Sequence, residues 1–180
     1  MAVGACVPVV KLKSQAGVFG VLGNHDQWLN GARVADALRS AGVNVLEDRS
    51  MRVATPSGPI WLAGVSDFKT ARHDFHAALA GITREAPLLV ITHNPDVFPK
   101  LPDGINLTIA GHTHGGQVRI PLFGSPIVPS EYGQRFVGGH ITEGKRHLYV
   151  ATGIGTSIIP VRFRVPPAIA LLTLASTCPR

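Results

Sequence analysis

Residues 107–116 read Leu107-Thr108-Ile109-Ala110-Gly111-His112-Thr113-His114-Gly115-Gly116. The apolar run Leu107 to Ala110 has the length and composition of a buried strand. Gly111 ends it, and two imidazoles follow on a turn flanked by glycine. Glycine lets a backbone bend sharply and pass close to a bound anion. Two histidines one residue apart on such a turn can face one metal ion or two adjacent ones.

The same pattern recurs twice upstream. Leu88 to Ile91 is a second buried strand and runs into Thr92-His93-Asn94-Pro95. Val18 to Leu22 is a third, apolar on both faces; it stops at Gly23, and Asn24-His25-Asp26 follow on the turn. In open α/β sheets, ligands bind outside the carboxyl ends of the strands. Three strands that each deliver metal-capable side chains there predict one shared site. Imidazole nitrogen and amide oxygen suit Mn, Zn or Fe without selecting between them.

The remaining chain alternates short strands with two helices. Asn30 to Ala41 carries Val34, Leu38 and Ala41 on one stripe, with Asn30 as cap and Gly42 as stop. Strands follow at Val43 to Leu46, Arg52 to Thr55 and Ile60 to Val65, with a Pro56-Ser57-Gly58-Pro59 turn. Arg72 to Ala80 is the second helix, with Phe75 and Leu79 inward and Gly81 at its end. Val118 to Ile120, Leu148 to Thr152 and Ala168 to Leu174 complete the expected strands. Asp67 follows Ser66 at a strand end, where it can approach the site or cap a helix.

Composition agrees with a single globular domain, residues 1–180. Apolar residues make up 45% and charged residues 16%, which is not a disordered chain. No apolar run reaches the roughly 18–20 residues of a membrane-spanning helix, and Met1 to Val10 lack the features of a signal peptide. Cys6 and Cys178 have no metal-ligand spacing and are taken as incidental thiols. The net charge of +6 suits anionic partners. No aromatic-basic platform for nucleic acid is present. Ser157 lacks the glycines of a nucleophile elbow, which argues against a serine hydrolase.

Gly23-Asn24-His25-Asp26, then His93, then Gly111-His112-Thr113-His114, in that order, resembles the last three motifs of the calcineurin-like metallophosphoesterases. The likeness extends to Gly115-Gly116-Gln117, Gly153-Ile154-Gly155-Thr156-Ser157 and Pro160-Val161-Arg162-Phe163. Those flanks are similar to a bacterial branch that is often membrane-associated and acts on phosphodiester or lipid-linked pyrophosphate substrates. The resemblance implies an α/β fold of two packed mixed β-sheets flanked by helices. It assigns Asn24, His93 and His112 to one metal and His114 to another. It places His25 beside the phosphate as a catalytic contact, with Asp26 accepting the second ring N–H of His25. The implied activity is phosphate-ester hydrolysis by a hydroxide held between two metal ions, which attacks phosphorus in line.

The same family uses an amino-terminal Asp-x-His motif and a Gly-Asp motif. In this sequence no carboxylate precedes Asp26 and no histidine precedes His25. The resemblance therefore implies a fold lacking its first strand–helix–strand unit and a site holding at most one divalent ion, where the complete family site holds two. It also implies impaired hydrolysis by this chain alone, with a metal- or phosphate-binding remnant as the alternative. An uncovered sheet edge would favour self-association. The expected location is cytoplasmic or peripheral to a membrane surface, any anchor lying outside these residues.

Overall fold

The computed structural model describes residues 11–70 and 73–175. The Met1–Val10 segment, Cys6 and Cys178 lie outside them. The fold is α/β. A six-stranded mixed sheet has the order β3-β4-β5-β6-β8-β7, and a two-stranded parallel sheet pairs β1 with β2. Here β1 is Val18–Gly20, β2 Val43–Val45, β3 Arg49–Val53, β4 Ile60–Val65, β5 Leu88–Thr92, β6 Leu107–Ala110, β7 Gly139–Glu143 and β8 Arg146–Val150. The helices are α1, Asn24–Ser40, and α2, Phe75–Leu79. One of the two expected mixed sheets is thus mixed; the other, among the described residues, is purely parallel.

Alternation along β1 explains how the layers stack. Val18 packs with Leu22, Ala35, Val43 and Val45 beneath α1, to which Val34 and Leu38 also contribute. Phe19 points the other way, onto Leu46, Val53, Leu62 and Leu89 of the large sheet's side. Successive strand side chains face opposite surfaces, so a strand apolar at both positions sits between two layers. The opposite face of the large sheet is covered by α2 and the 3-10 turn Pro95–Lys100, whose Val97 packs with Ala63, Val65 and Val90. Phe98 and Phe136 fill the space over Ala110, Leu148 and Val150.

Several sequence expectations shift. α1 begins at Asn24, so Asn24, His25 and Asp26 form the first turn of a helix rather than a loop. Asn30 interrupts that helix in an extended conformation. Its Oδ1 accepts from the backbone N–H of Arg33 at 3.1 Å, so Asn30 caps the second half as expected. The strand expected at Arg52 to Thr55 lies at Arg49–Val53, in register with β4 as Met51 opposite Leu62. Val118 to Ile120 makes only isolated bridges, Val118 to Phe163 and Ile120 to Gly124. Ala168 to Leu174 forms no strand: Ile169 and Leu171 are almost fully exposed, and apolar composition without a pairing partner does not make a strand. β7, which the sequence reading passes over, is an edge strand with alternating exposure.

What positions the site is the run of parallel strands. β4, β5, β6 and β8 all point the same way. Val65 is level with Thr92, and Ile91 with Ile109. The residues after each strand therefore emerge side by side at one rim.

Candidate metal centre

Two of those emerging residues, His93 and His112, meet Asn24, which follows β1 of the small sheet. Nε2 of His93 lies 2.9 Å from Oδ1 of Asn24 and 3.0 Å from Nδ1 of His112. Asn24 comes from the start of α1, His93 from the end of β5 and His112 from the turn after β6. A backbone bond from Gly111 N–H to the His93 carbonyl, at 3.0 Å, holds the last two together.

The local chain is built to bring them in. The Leu22 N–H donates to Glu47 at 2.9 Å and the Gly23 N–H to Asp26 at 2.8 Å. Both carboxylates thus engage backbone donors at the start of α1, where negative charge is favoured. Gly23 itself leaves room for the imidazole: a Cβ there would stand 2.7 Å from the His93 ring. On the β6 side, His112 has φ 68° and His114 φ 52°. Left-handed backbone costs a non-glycine residue of order 1–3 kcal/mol and persists only where the surroundings impose it. Thr113, fully buried between them, anchors the turn by donating to the Val137 carbonyl at 2.9 Å. The N–H groups of Gly115, Gly116 and Gln117 are all engaged inside this turn. The glycines serve the bend, and those N–H groups do not face an anion.

Electrostatics keep the imidazoles neutral. Burial pushes the His93 pKa down from 6.5 to about 4, and the neighbouring His112 adds to the effect. Burial likewise lowers His112 and His114. Asp67 opposes the depression at both His93 and His112. It is wholly buried. Its Oδ2 caps the Lys69–Thr70 turn, at 3.0 Å from the Thr70 N–H, while its Oδ1 has no hydrogen-bond partner. The sequence left approach and capping open for Asp67; it caps with one oxygen and exerts its charge on the site.

The residues present fit a cation. Neutral imidazoles are the form that binds metal. Two donors about 2.1 Å from one ion at right angles are about 3 Å apart, which is the spacing found around His93 Nε2. No carboxylate joins the set. Among the described residues no group of three or more His, Cys, Asp or Glu is placed to hold an ion; the set here is two imidazoles and one amide.

His114 and His25 stand apart from that corner. Nδ1 of His114 lies 3.3 Å from the Gly155 carbonyl. His25 is exposed, with Nε2 3.2 Å from the Ser157 hydroxyl and its ring tilted against Trp28, centroids 4.8 Å apart. Here one expectation needs correcting. The Asp26 carboxylate is engaged by the Gly23 N–H, and the hydrogen-bonding partner the structure gives His25 is Ser157. Asp26 sits in the first turn of α1, where its side chain faces the helix start.

Gln117, Ser157 and Arg162 are the contributors that sequence reasoning undervalued. Gln117 donates to the Ile159 and Val161 carbonyls at 3.2 and 3.3 Å and accepts from the Ser157 N–H. This ties the histidine turn to the segment that meets His25. All three lie in the flanks that carried the family resemblance, which was the one signal pointing to them.

The chain is 32% identical over 177 residues to an uncharacterized metallophosphoesterase, YkuE, of Bacillus subtilis (strain 168), covering 96% of the chain and 62% of the relative. It is 34% identical over 163 residues to the phosphodiesterase YaeI of Escherichia coli (strain K12), covering 88% and 58%. A transmembrane protein with a metallophosphoesterase domain from Danio rerio is 29% identical over 173 residues, covering 88% of this chain and 38% of its own length. No family model matches the chain, and no solved structure matches it significantly. Along almost its whole length the chain is similar to proteins named as metallophosphoesterases and a phosphodiesterase, in line with its resemblance to the calcineurin-like superfamily. It spans less than two thirds of the length of each of these three relatives. No helix among the described residues is long and apolar enough to cross a membrane.

Proposed function

We propose that this chain carries part of the active site of a metal-dependent hydrolase of phosphate esters. The observation that carries the reading is the convergence of Asn24 Oδ1, His93 Nε2 and His112 Nδ1 within 2.9–3.0 Å of one another along two contacts. These three would hold one divalent ion, Mn, Zn or Fe, and His114 would face a second position. A bound ion supplies Lewis-acid charge to a phosphoryl oxygen and to the water that attacks it.

The chain's own residues perform the rest. Burial disfavours the charged form of His93 and His112 and so keeps their lone pairs available. His25, exposed and steadied by Ser157, is free to place a proton on the departing oxygen or to stabilise charge there. Its partner is the Ser157 hydroxyl, which can orient the ring toward a departing oxygen. The substrate class we favour is a phosphodiester or a lipid-linked pyrophosphate, the latter met at a membrane surface. Self-association through an uncovered sheet edge is part of the same proposal.

All three donors of the first corner are neutral. Little in the contacting set offsets a dipositive ion, so we expect this chain alone to bind no more than one ion, weakly, and to hydrolyse slowly. That neutral set also favours the second reading, a metal- or phosphate-binding domain without turnover. Metal titration by calorimetry, paired with hydrolysis of a p-nitrophenyl phosphodiester in added Mn, separates the two. Binding with a rate above that of His112→Ala supports the enzyme. Binding with equal rates supports the non-catalytic reading. No binding at all removes both.

A further inference from the structure

Arg162 makes an unusual set of contacts for a cation. Its Nε donates to the Gly155 carbonyl at 2.9 Å, and its Nη2 donates to Gly155 and to the Thr152 carbonyl at 2.8 Å. Its Nη1 donates to the carbonyls of His114 and Val165, each at 3.3 Å. A guanidinium has five N–H donors in a rigid fork, and here five contacts are directed at four backbone carbonyls. Among the described residues it forms no salt bridge.

One of those carbonyls matters to the site. The Gly155 oxygen held by Arg162 is the atom 3.3 Å from His114 Nδ1. A carbonyl accepts and cannot donate. The proton of a neutral His114 must therefore lie on Nδ1, and Nε2 carries the lone pair. Neutral histidine side chains in water favour the other tautomer, with the proton on Nε2. The fold must therefore impose this one.

We propose that Arg162 is a positioning residue: it clamps the Gly155 carbonyl against His114 Nδ1 and so fixes the tautomer that leaves His114 Nε2 unprotonated. Arg162 also grips the His114 carbonyl, so both ends of the contact hang from one planar group. Lysine cannot replace it. An ammonium has three donors on a flexible stem and does not reproduce the fork. Ligation by Nε2 rests on the functional reading above, whereas the tautomer does not.

The test is a long-range proton–nitrogen correlation spectrum of the 15N-labelled chain, treated with chelator, at mildly alkaline pH. In the unsubstituted chain His114 should show a pyrrole-type Nδ1 and a pyridine-type Nε2. In Arg162→Met the two should exchange character, with the Nε2–H form becoming the major one. The rings of His93 and His112 should keep their spectra and report that the rest of the rim is intact. Arg162→Lys should fall between the two; should Arg162→Met not fold, the lysine variant carries the test alone. The proposal is overturned if His114 in the unsubstituted chain carries its proton on Nε2, or if the folded variant keeps the Nδ1–H form in the same proportion. A correct tautomer in a chain that binds no Mn or Zn would leave this inference standing and remove the metal site instead.

Discussion

The two halves of the rim hold their histidines by different means. Asn24, His93 and His112 are placed by strand register and helix packing, on backbone that is largely buried. His114 and His25 are placed by loop wiring, through the Gly155 carbonyl and the Ser157 hydroxyl on segments that are open to solvent. The first arrangement is rigid because shifting one donor means shifting a strand. The second depends on a few polar contacts from Arg162 and Gln117. Damage in the first corner should therefore remove binding, whereas damage in the second should retune it.

The largest contrast is expected on deleting one donor from each half. His93→Ala should weaken the first equivalent of Mn or Zn on the order of 1,000-fold, since even changes to groups behind a ligand cost about 10–100-fold. His114→Ala should change that equivalent by less than about tenfold. Calorimetric titration of both variants checks this, and equal losses would mean that the two halves form one site.

Acid should come next. Folded His93 titrates at about 4, and its ordinary value is 6.5. Between those values the unfolded chain binds a proton that the folded chain does not. Stability of the chelated protein should therefore fall as pH drops through 6.5 and level off below about 4. The loss from this residue is about 3 kcal/mol. His112 and His114 shift in the same direction and steepen the fall. Urea unfolding over this range should show the slope, and His93→Ala should flatten much of it.

Gly23→Ala tests packing rather than ligation. The new methyl would meet the His93 ring at 2.7 Å, closer than side chains approach. We expect about 2 kcal/mol of destabilisation from overpacking, with weaker metal binding as the ring is displaced. A variant that melts normally and binds normally would show that the ring has room to move.

The smallest effect should follow Asp67→Asn. Removing a buried charge near His93 and His112, with the capping shape kept, should lower metal affinity by about 1 kcal/mol, a factor of about five. His112 would become still harder to protonate. An unchanged affinity would show that Asp67 serves only its turn.

Much of this was legible in the chain itself. Each strand that ends in a histidine loop was visible, because a short apolar run followed by Gly111 or by Thr92-His93 has a local cause. β4 and β6 fall where their apolar runs predicted. Helix α1 was legible only in its second half. Its first turn contains Asn24, His25 and Asp26, which as isolated residues suit turns, and in the fold Glu47 and Asp26 accept the Leu22 and Gly23 N–H groups at its start. Ala168 to Leu174 shows the converse error: local composition favoured a strand, but beyond the bond from the Ala168 N–H to the Gly153 carbonyl no strand ladder forms.

The sequence by itself determined which side chains could carry the chemistry, since residue type and local turn geometry are written residue by residue. It also determined that strand ends would present them. Only the tertiary structure decided that Asn24, His93 and His112 converge while His114 and His25 are held from the Gly155–Arg162 segment. Contacts across 69 residues, as between Asn24 and His93, depend on how β1 and the start of α1 pack against the large sheet, and nothing in a short window of sequence encodes that packing. The partner of His25 was decided in the same way: a carboxylate one residue away was passed over for a hydroxyl 132 residues away, because the helix turned Asp26 toward its own first N–H groups.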